Sequence, residues 1–133
     1  MLTESELIAL FVTQTNWQDR YRLIIQQAKQ LPDLAPEQKT DELLVSGCEN
    51  KVWIGANKHN DNTLTFFGDS DGRIVKGLLA ILITLVNGKT TEQIQNLDIE
   101  HYFEQLHIKK ELSQSKQIGL QSLIKRIKEL SIN

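Results

Sequence analysis

Ser46-Gly47-Cys48-Glu49-Asn50-Lys51-Val52-Trp53-Ile54 holds the only cysteine in 133 residues. The cysteine follows a glycine and precedes a short alternating apolar run. That order predicts a tight loop at the mouth of a β-strand. A lone thiol in such a place has two physical readings. It is a small buried hydrophobe, as free cysteine usually is. Or it is an accessible thiol on a loop that a rigid scaffold presents for chemistry. Position alone leaves both open.

Working outward, Val52, Ile54 and Ala56 alternate with Lys51, Trp53, Gly55 and Asn57, the period of a strand. Asn57 to Asn62 is polar or charged throughout and reads as a hairpin turn. Leu64 to Phe67 is the returning strand, and Leu43-Leu44-Val45 reads as a short strand ahead of the loop. The expectation is a small antiparallel sheet of about three strands. Asp69-Ser70-Asp71-Gly72 then reads as a turn, with Ser70 or Asp71 capping the next helix. That helix, from Gly72 or Arg73 to Val86, is apolar almost all round and is expected to be the most buried one. Gly77 allows another backbone to approach it, and Asn87-Gly88 is a left-handed stop.

The flanks are helical. Thr3-Glu4-Ser5-Glu6 is a capping box that starts a helix with Leu7, Leu10 and Phe11 on one face. Asn16 is placed to cap the next helix, which carries Trp17, Tyr21, Ile24, Ile25 and Ala28 at helical spacing, all read as core. Pro32 and Pro36 bracket a connector from Leu31 to Lys39. Thr90-Thr91-Glu92-Gln93 is a second capping box, and Asp98 is a cap for a helix with Ile99, Tyr102, Phe103 and Leu106 inward. Ser113 or Ser115 begins a last helix striped by Leu120, Leu123, Ile124, Ile127 and Leu130. The fold class is therefore α+β: a small antiparallel sheet packed against a helical layer, in a single domain over residues 1–133.

Composition narrows the function. The chain is 40% hydrophobic and 24% charged, as a globular domain is, and its net charge of −2 gives no broad pull toward nucleic acid or an acidic membrane. One cysteine makes no intrachain disulfide, which suits a reducing compartment. The N-terminus lacks the basic and apolar blocks of a secretory signal. The most apolar window, Ile74 to Val86, spans 13 residues, too short for a membrane helix. A cytoplasmic location is expected. His59, His101 and His107 form no metal-ligand spacing with Cys48, and no glycine-rich phosphate loop is present. A Cys-His hydrolase dyad would need a histidine to meet Cys48 in space.

Four stretches in order carry a family resemblance. Gly47-Cys48-Glu49-Asn50-Lys51-Val52-Trp53 resembles the Gly-Cys-x-x-x-Val-Trp signature of the SufE/CsdE family of sulfur acceptors. Asp69-Ser70-Asp71-Gly72-Arg73-Ile74-Val75-Lys76-Gly77-Leu78-Leu79-Ala80 is similar to its second segment, and Asn87-Gly88-Lys89-Thr90 to its next turn. Leu112-Ser113-Gln114-Ser115-Lys116-Gln117-Ile118-Gly119-Leu120 is similar to its Leu-Ser-x-Ser-Arg-x-x-Gly-Leu segment. The wording around Cys48 and the Phe66-Phe67-Gly68-Asp69-Ser70 run lean to the CsdE branch. Lys116 departs from the family arginine; it keeps the charge but loses the planar fork.

The resemblance implies a SufE/IscU-like fold and a specific chemistry. Cys48 would accept persulfide sulfur from a cysteine desulfurase and stimulate it. It would pass the sulfur to an iron–sulfur scaffold or a tRNA-modification protein. Pyridoxal phosphate would belong to the desulfurase, with no cofactor on this chain. It implies a loop sheltered against an apolar cavity at rest and extended into the partner, with Gly47 letting it bend. Lys51, Arg73 and Lys116 are candidate cations for the thiol or persulfide, and Asp71 a candidate influence on loop mobility or the partner surface. The free protein is expected as a monomer or weak dimer, with no direct contact to nucleic acid or membrane. The alternative is a non-catalytic docking or regulatory module in which Cys48 is structural.

Overall fold

The computed structural model describes residues 2–132. In chain order the elements are α1 (Glu4–Val12), α2 (Trp17–Ala28), β1 (Val52–Lys58), β2 (Leu64–Ser70), α3 (Arg73–Val86), α4 (Thr91–Gln95), α5 (Ile99–Gln105) and α6 (Gln114–Ile132). Short 3-10 turns sit at Pro36–Gln38 and Lys109–Glu111. The α+β architecture follows the expectation, and the helix starts explain it locally. The Thr3 hydroxyl accepts from the Glu6 amide (3.2 Å) while the Glu6 carboxylate accepts from the Thr3 amide (3.0 Å). Asn16 caps α2 through the Asp19 amide (2.9 Å), and Asp98 caps α5 through the His101 amide (3.1 Å). Thr90 and Gln93 form the second capping box.

β1 and β2 pair antiparallel, Val52 opposite Ser70 and Lys58 opposite Leu64. Eleven of the fourteen residues of α3 are buried, so it is covered on all sides, by α2, β2 and α6. A Cβ at Gly77 would overlap the carbonyl of Ile24, so glycine lets the α2 backbone lie directly on α3. α6 runs along β1 and closes the far side with Leu120, Leu123, Ile124 and Ile127. One continuous apolar cluster runs from Leu7 to Ile127. No helix among the described residues is long and apolar enough to cross a membrane.

Four expectations are corrected. The sheet has two strands, not three: Leu43–Val45 contributes one bridge, Leu44 opposite Trp53, held by two 2.8 Å hydrogen bonds. Turns close over Thr40–Leu44 on one side, and Gly47 diverts the chain on the other, so no longer ladder can form. Tyr21 is 38% exposed rather than core, because the buried stripe of α2 passes through Leu23, Ile24 and Gln27; its ring meets the edge of Trp17. β2 continues through Asp69 and Ser70, where the sequence reads as a turn. Finally, Gly72 is the N-cap of α3 and no side chain caps it, since Ser70 and Asp71 are engaged with Lys51.

Asp69 is the anchor of this end of the sheet. It is 3% exposed. Its carboxylate accepts from the amides of Leu34 (3.0 Å) and Ser70 (2.8 Å) and meets Lys76 at 3.1 Å and Lys39 at 3.7 Å. Lys76 also pairs with Asp33. Lys39 lies over the Trp53 ring, 5.0 Å from its centroid. The connector is thereby stapled to β1, β2 and α3 at once. Burial alone would raise the Asp69 carboxyl, but the Leu34 amide, Lys76 and the Ser70 amide outweigh it and hold it below the usual carboxylate range.

Candidate functional site

Cys48 sits in the loop between the Leu44 bridge and β1, and it is half-buried. The base of the loop is fixed to the end of β2. The Lys51 amide donates to the Asp71 carboxylate (3.1 Å). The Lys51 carbonyl accepts from the Ser70 hydroxyl (2.8 Å) and the Asp71 amide (3.2 Å). Asp71 thus holds the backbone at the foot of the Cys48 loop.

The upper part of the loop lies on α6. The Cys48 thiol points at the carbonyl of Gly119, with Sγ 3.8 Å away. Lys116 Nζ donates to the Asn50 side-chain oxygen (3.1 Å). The Ser122 hydroxyl donates to the Gly47 carbonyl (3.2 Å). Gly47 has φ +89, a conformation that L side chains rarely adopt, and a Cβ there would stand 2.5 Å from Ser122 Oγ. Beside the loop, Leu44, Val45, Ser46 and Gly47 face Ser122, Lys125, Arg126 and Glu129 across an open groove of about 530 Å³. Cys48 does not line that groove; it packs instead against the edge of the core.

The electrostatics oppose a reactive thiol in this position. Burial pushes the Cys48 thiol above its ordinary value, and among the described residues no cation offsets the shift. Of the candidate cations, Lys116 reaches the loop through Asn50 rather than through sulfur. That contact is one donated hydrogen bond, which a lysine makes without a planar fork. Lys51 is exposed and contributes its backbone. Arg73 is exposed at the first turn of α3 and makes no ion pair or side-chain hydrogen bond among the described residues. Among the described residues no histidine is hydrogen-bonded to Cys48, so no hydrolase dyad is seen: the Cys48 thiol faces the Gly119 carbonyl, and His59 contacts Thr65 (2.6 Å). Among the described residues no three His, Cys, Asp or Glu side chains gather as a metal site.

Sequence reasoning missed Asn50 and Ser122 as partners of the loop. Asn50 lies inside the Cys48 motif and Lys116 inside the α6 motif, so that pair was findable by joining the two. Ser122 lies outside every motif. Its only signal is its helical position, three residues beyond Gly119 on the same face.

Residues 5–131 match the family model described as SufE, an Fe-S metabolism associated domain. The chain belongs to the SufE family. Within it, the chain is 41% identical over 126 residues to the sulfur acceptor protein CsdE of Escherichia coli K12, spanning 95% of this chain and 86% of that one. Identity is 38% over 132 residues to an uncharacterized SufE-like protein of Rhizobium etli, covering 97% and 89% of the two chains. It is 39% over 117 residues to an uncharacterized SufE-like protein of Haemophilus influenzae, covering 88% and 93%. The likeness to CsdE agrees with the lean of the Cys48 motif. The solution structure of a hypothetical protein from Thermus thermophilus shares the fold, with a TM-score of 0.77 at 14% identity over 99% of this chain and 96% of that one.

Proposed function

We propose that this SufE-family chain is a sulfur acceptor whose carrier is Cys48. One observation carries the reading: the sole cysteine of a chain 41% identical to a sulfur acceptor sits on a loop that three side-chain hydrogen bonds join to α6. The donor is the persulfide of a cysteine desulfurase, whose pyridoxal phosphate stays on that enzyme. The Cys48 thiolate attacks the terminal sulfur of that persulfide. The sulfur–sulfur bond breaks, and the desulfurase cysteine leaves as a thiolate with the bonding pair. Cys48 then carries the persulfide. One sulfane sulfur has moved, and no external oxidant or reductant is consumed.

The seated thiol is a poor starting point, because the thiolate is the nucleophile and burial disfavours it. Reaction therefore belongs to the loop once it has left α6 and entered the partner. On return to α6 the persulfide sits half-buried at the edge of the core. The downstream acceptor is an iron–sulfur scaffold or a tRNA-modification protein, and the chemistry suits a reducing compartment such as the cytoplasm.

A second reading has an observation in its favour: Cys48 packs against the core and its thiol is suppressed, as a structural cysteine would be. On that reading the chain is a docking module for the desulfurase. Desulfurase turnover, measured with wild type and with Cys48→Ser, separates the two. The carrier reading predicts that the variant folds but loses stimulation. Full stimulation by the variant contradicts it and leaves the docking module.

A further inference from the structure

We infer that Ser122 is a positioning residue that latches the Cys48 loop to α6 and sets how often it comes free. The inference rests on the sulfur-acceptor reading and concerns the regulation of that same site. The loop lies antiparallel on α6: Gly47, Cys48 and Asn50 meet Ser122, Gly119 and Lys116 in that order. The three helix positions are spaced by three residues, so they share one face and form a track for the loop.

Ser122 has the chemistry of a latch that opens at little cost. Its hydroxyl carries one proton and stands 3.2 Å from two acceptors, the Gly47 carbonyl and the Ile118 carbonyl of its own helix. When the loop leaves, the hydroxyl donates to the Ile118 carbonyl alone, a back-bond that serine readily makes in a helix. The Gly47 carbonyl goes to water. Release strands no buried donor or acceptor, so it avoids the large penalty of an unsatisfied group. The seat is fitted to its occupant, because a Cβ on Gly47 would collide with Ser122 Oγ at 2.5 Å. Other charged groups near the loop are Glu49 and Lys51 on it, Asp71 at its foot, and Lys116, Lys125, Arg126 and Glu129 on α6.

The test is the rate of Cys48 alkylation by iodoacetamide in the full chain, without desulfurase, followed across pH. Ser122→Ala should react about 2- to 5-fold faster at neutral pH, the lower range for one lost hydrogen bond. The midpoint of its pH–rate profile should fall, because a freer loop leaves the thiol in water. A merely structural serine would not move that midpoint. Unchanged rate and midpoint in a folded Ser122→Ala protein overturn the inference. Gly47→Ala supplies an independent arm. It should also accelerate alkylation, but in the Gly47→Ala/Ser122→Ala double variant the gain should fall short of the product of the single gains. The collision disappears with the hydroxyl, so the two sites are coupled. A double variant that equals the product contradicts the latch. No desulfurase is present, so failure here leaves sulfur acceptance standing, and failure to form a persulfide leaves the latch standing.

Discussion

Asp69 and Cys48 lie toward the same end of the β1–β2 hairpin, and they are held in opposite ways. Asp69 is buried, accepts two backbone amides and faces two lysines, so removing any one partner leaves the others in place. Cys48 is half-buried at the edge of the core, and its loop makes three hydrogen bonds to α6, each of which water can replace. The first arrangement over-determines a geometry. The second holds a geometry that can be given up. A carrier that must enter another protein needs both, a platform that does not move and an arm that does.

Breaking the anchor should have the largest effect. Asp69→Ala leaves Lys76 short of its buried partner and the amides of Leu34 and Ser70 unpaired. It should lower stability by about 3 kcal/mol, as measured by urea unfolding. An equally stable variant would show that the anchor is not what fixes the platform.

Acid and alkali should act on the two regions separately. The Asp69 carboxyl is held below its unfolded value, so its contribution is present above the unfolded carboxylate range and is lost as pH falls through the folded one. Acid should therefore loosen the connector and hairpin. The Cys48 thiol is held above its ordinary value by burial, so its thiolate appears later than that of a free thiol as pH rises, and ionisation favours the released loop. Thermal melts across acid pH and alkylation across alkaline pH read the two. A thiol that titrates as a free cysteine would break the contrast.

The foot of the loop lies between these extremes. Asp71→Ala removes the carboxylate that accepts the Lys51 amide at an exposed site. Stability should fall by less than about 1 kcal/mol while Cys48 alkylation rises about 2- to 5-fold. A large loss of stability with no change in alkylation would place Asp71 with the anchor. The smallest effect belongs to Lys116. Lys116→Ala removes one partly exposed contact to Asn50 and should change alkylation by about 2-fold or less, the scale of a surface charge contact.

Much of this was legible in the chain. Capping boxes at Thr3 and Thr90, the caps at Asn16 and Asp98, and the apolar run of α3 are local signals, and the structure keeps them. Cys48 stands out as the sole thiol beside Gly47. The parts that were not legible depend on distant partners. Asp69 reads as a turn residue next to Ser70, Asp71 and Gly72. Only the arrival of Leu34, Lys39 and Lys76 makes it a buried strand residue. Leu43–Val45 reads as a strand by apolarity, yet turns on both sides leave it one bridge. Lys51, Arg73 and Lys116 read either as candidate cations for the thiol or as ordinary solvated charges; in the fold Lys116 donates to Asn50 and Arg73 is exposed.

The central claim is that Cys48 accepts sulfur, and intact-protein mass spectrometry tests it most directly. The protein is incubated with a cysteine desulfurase, pyridoxal phosphate and free cysteine. A gain of about 32 mass units, one sulfur atom, that reductant removes and Cys48→Ala abolishes is the predicted result. No gain in the folded wild-type protein with several desulfurases, each shown to be active, would contradict it and leave Cys48 as a structural thiol in a docking module.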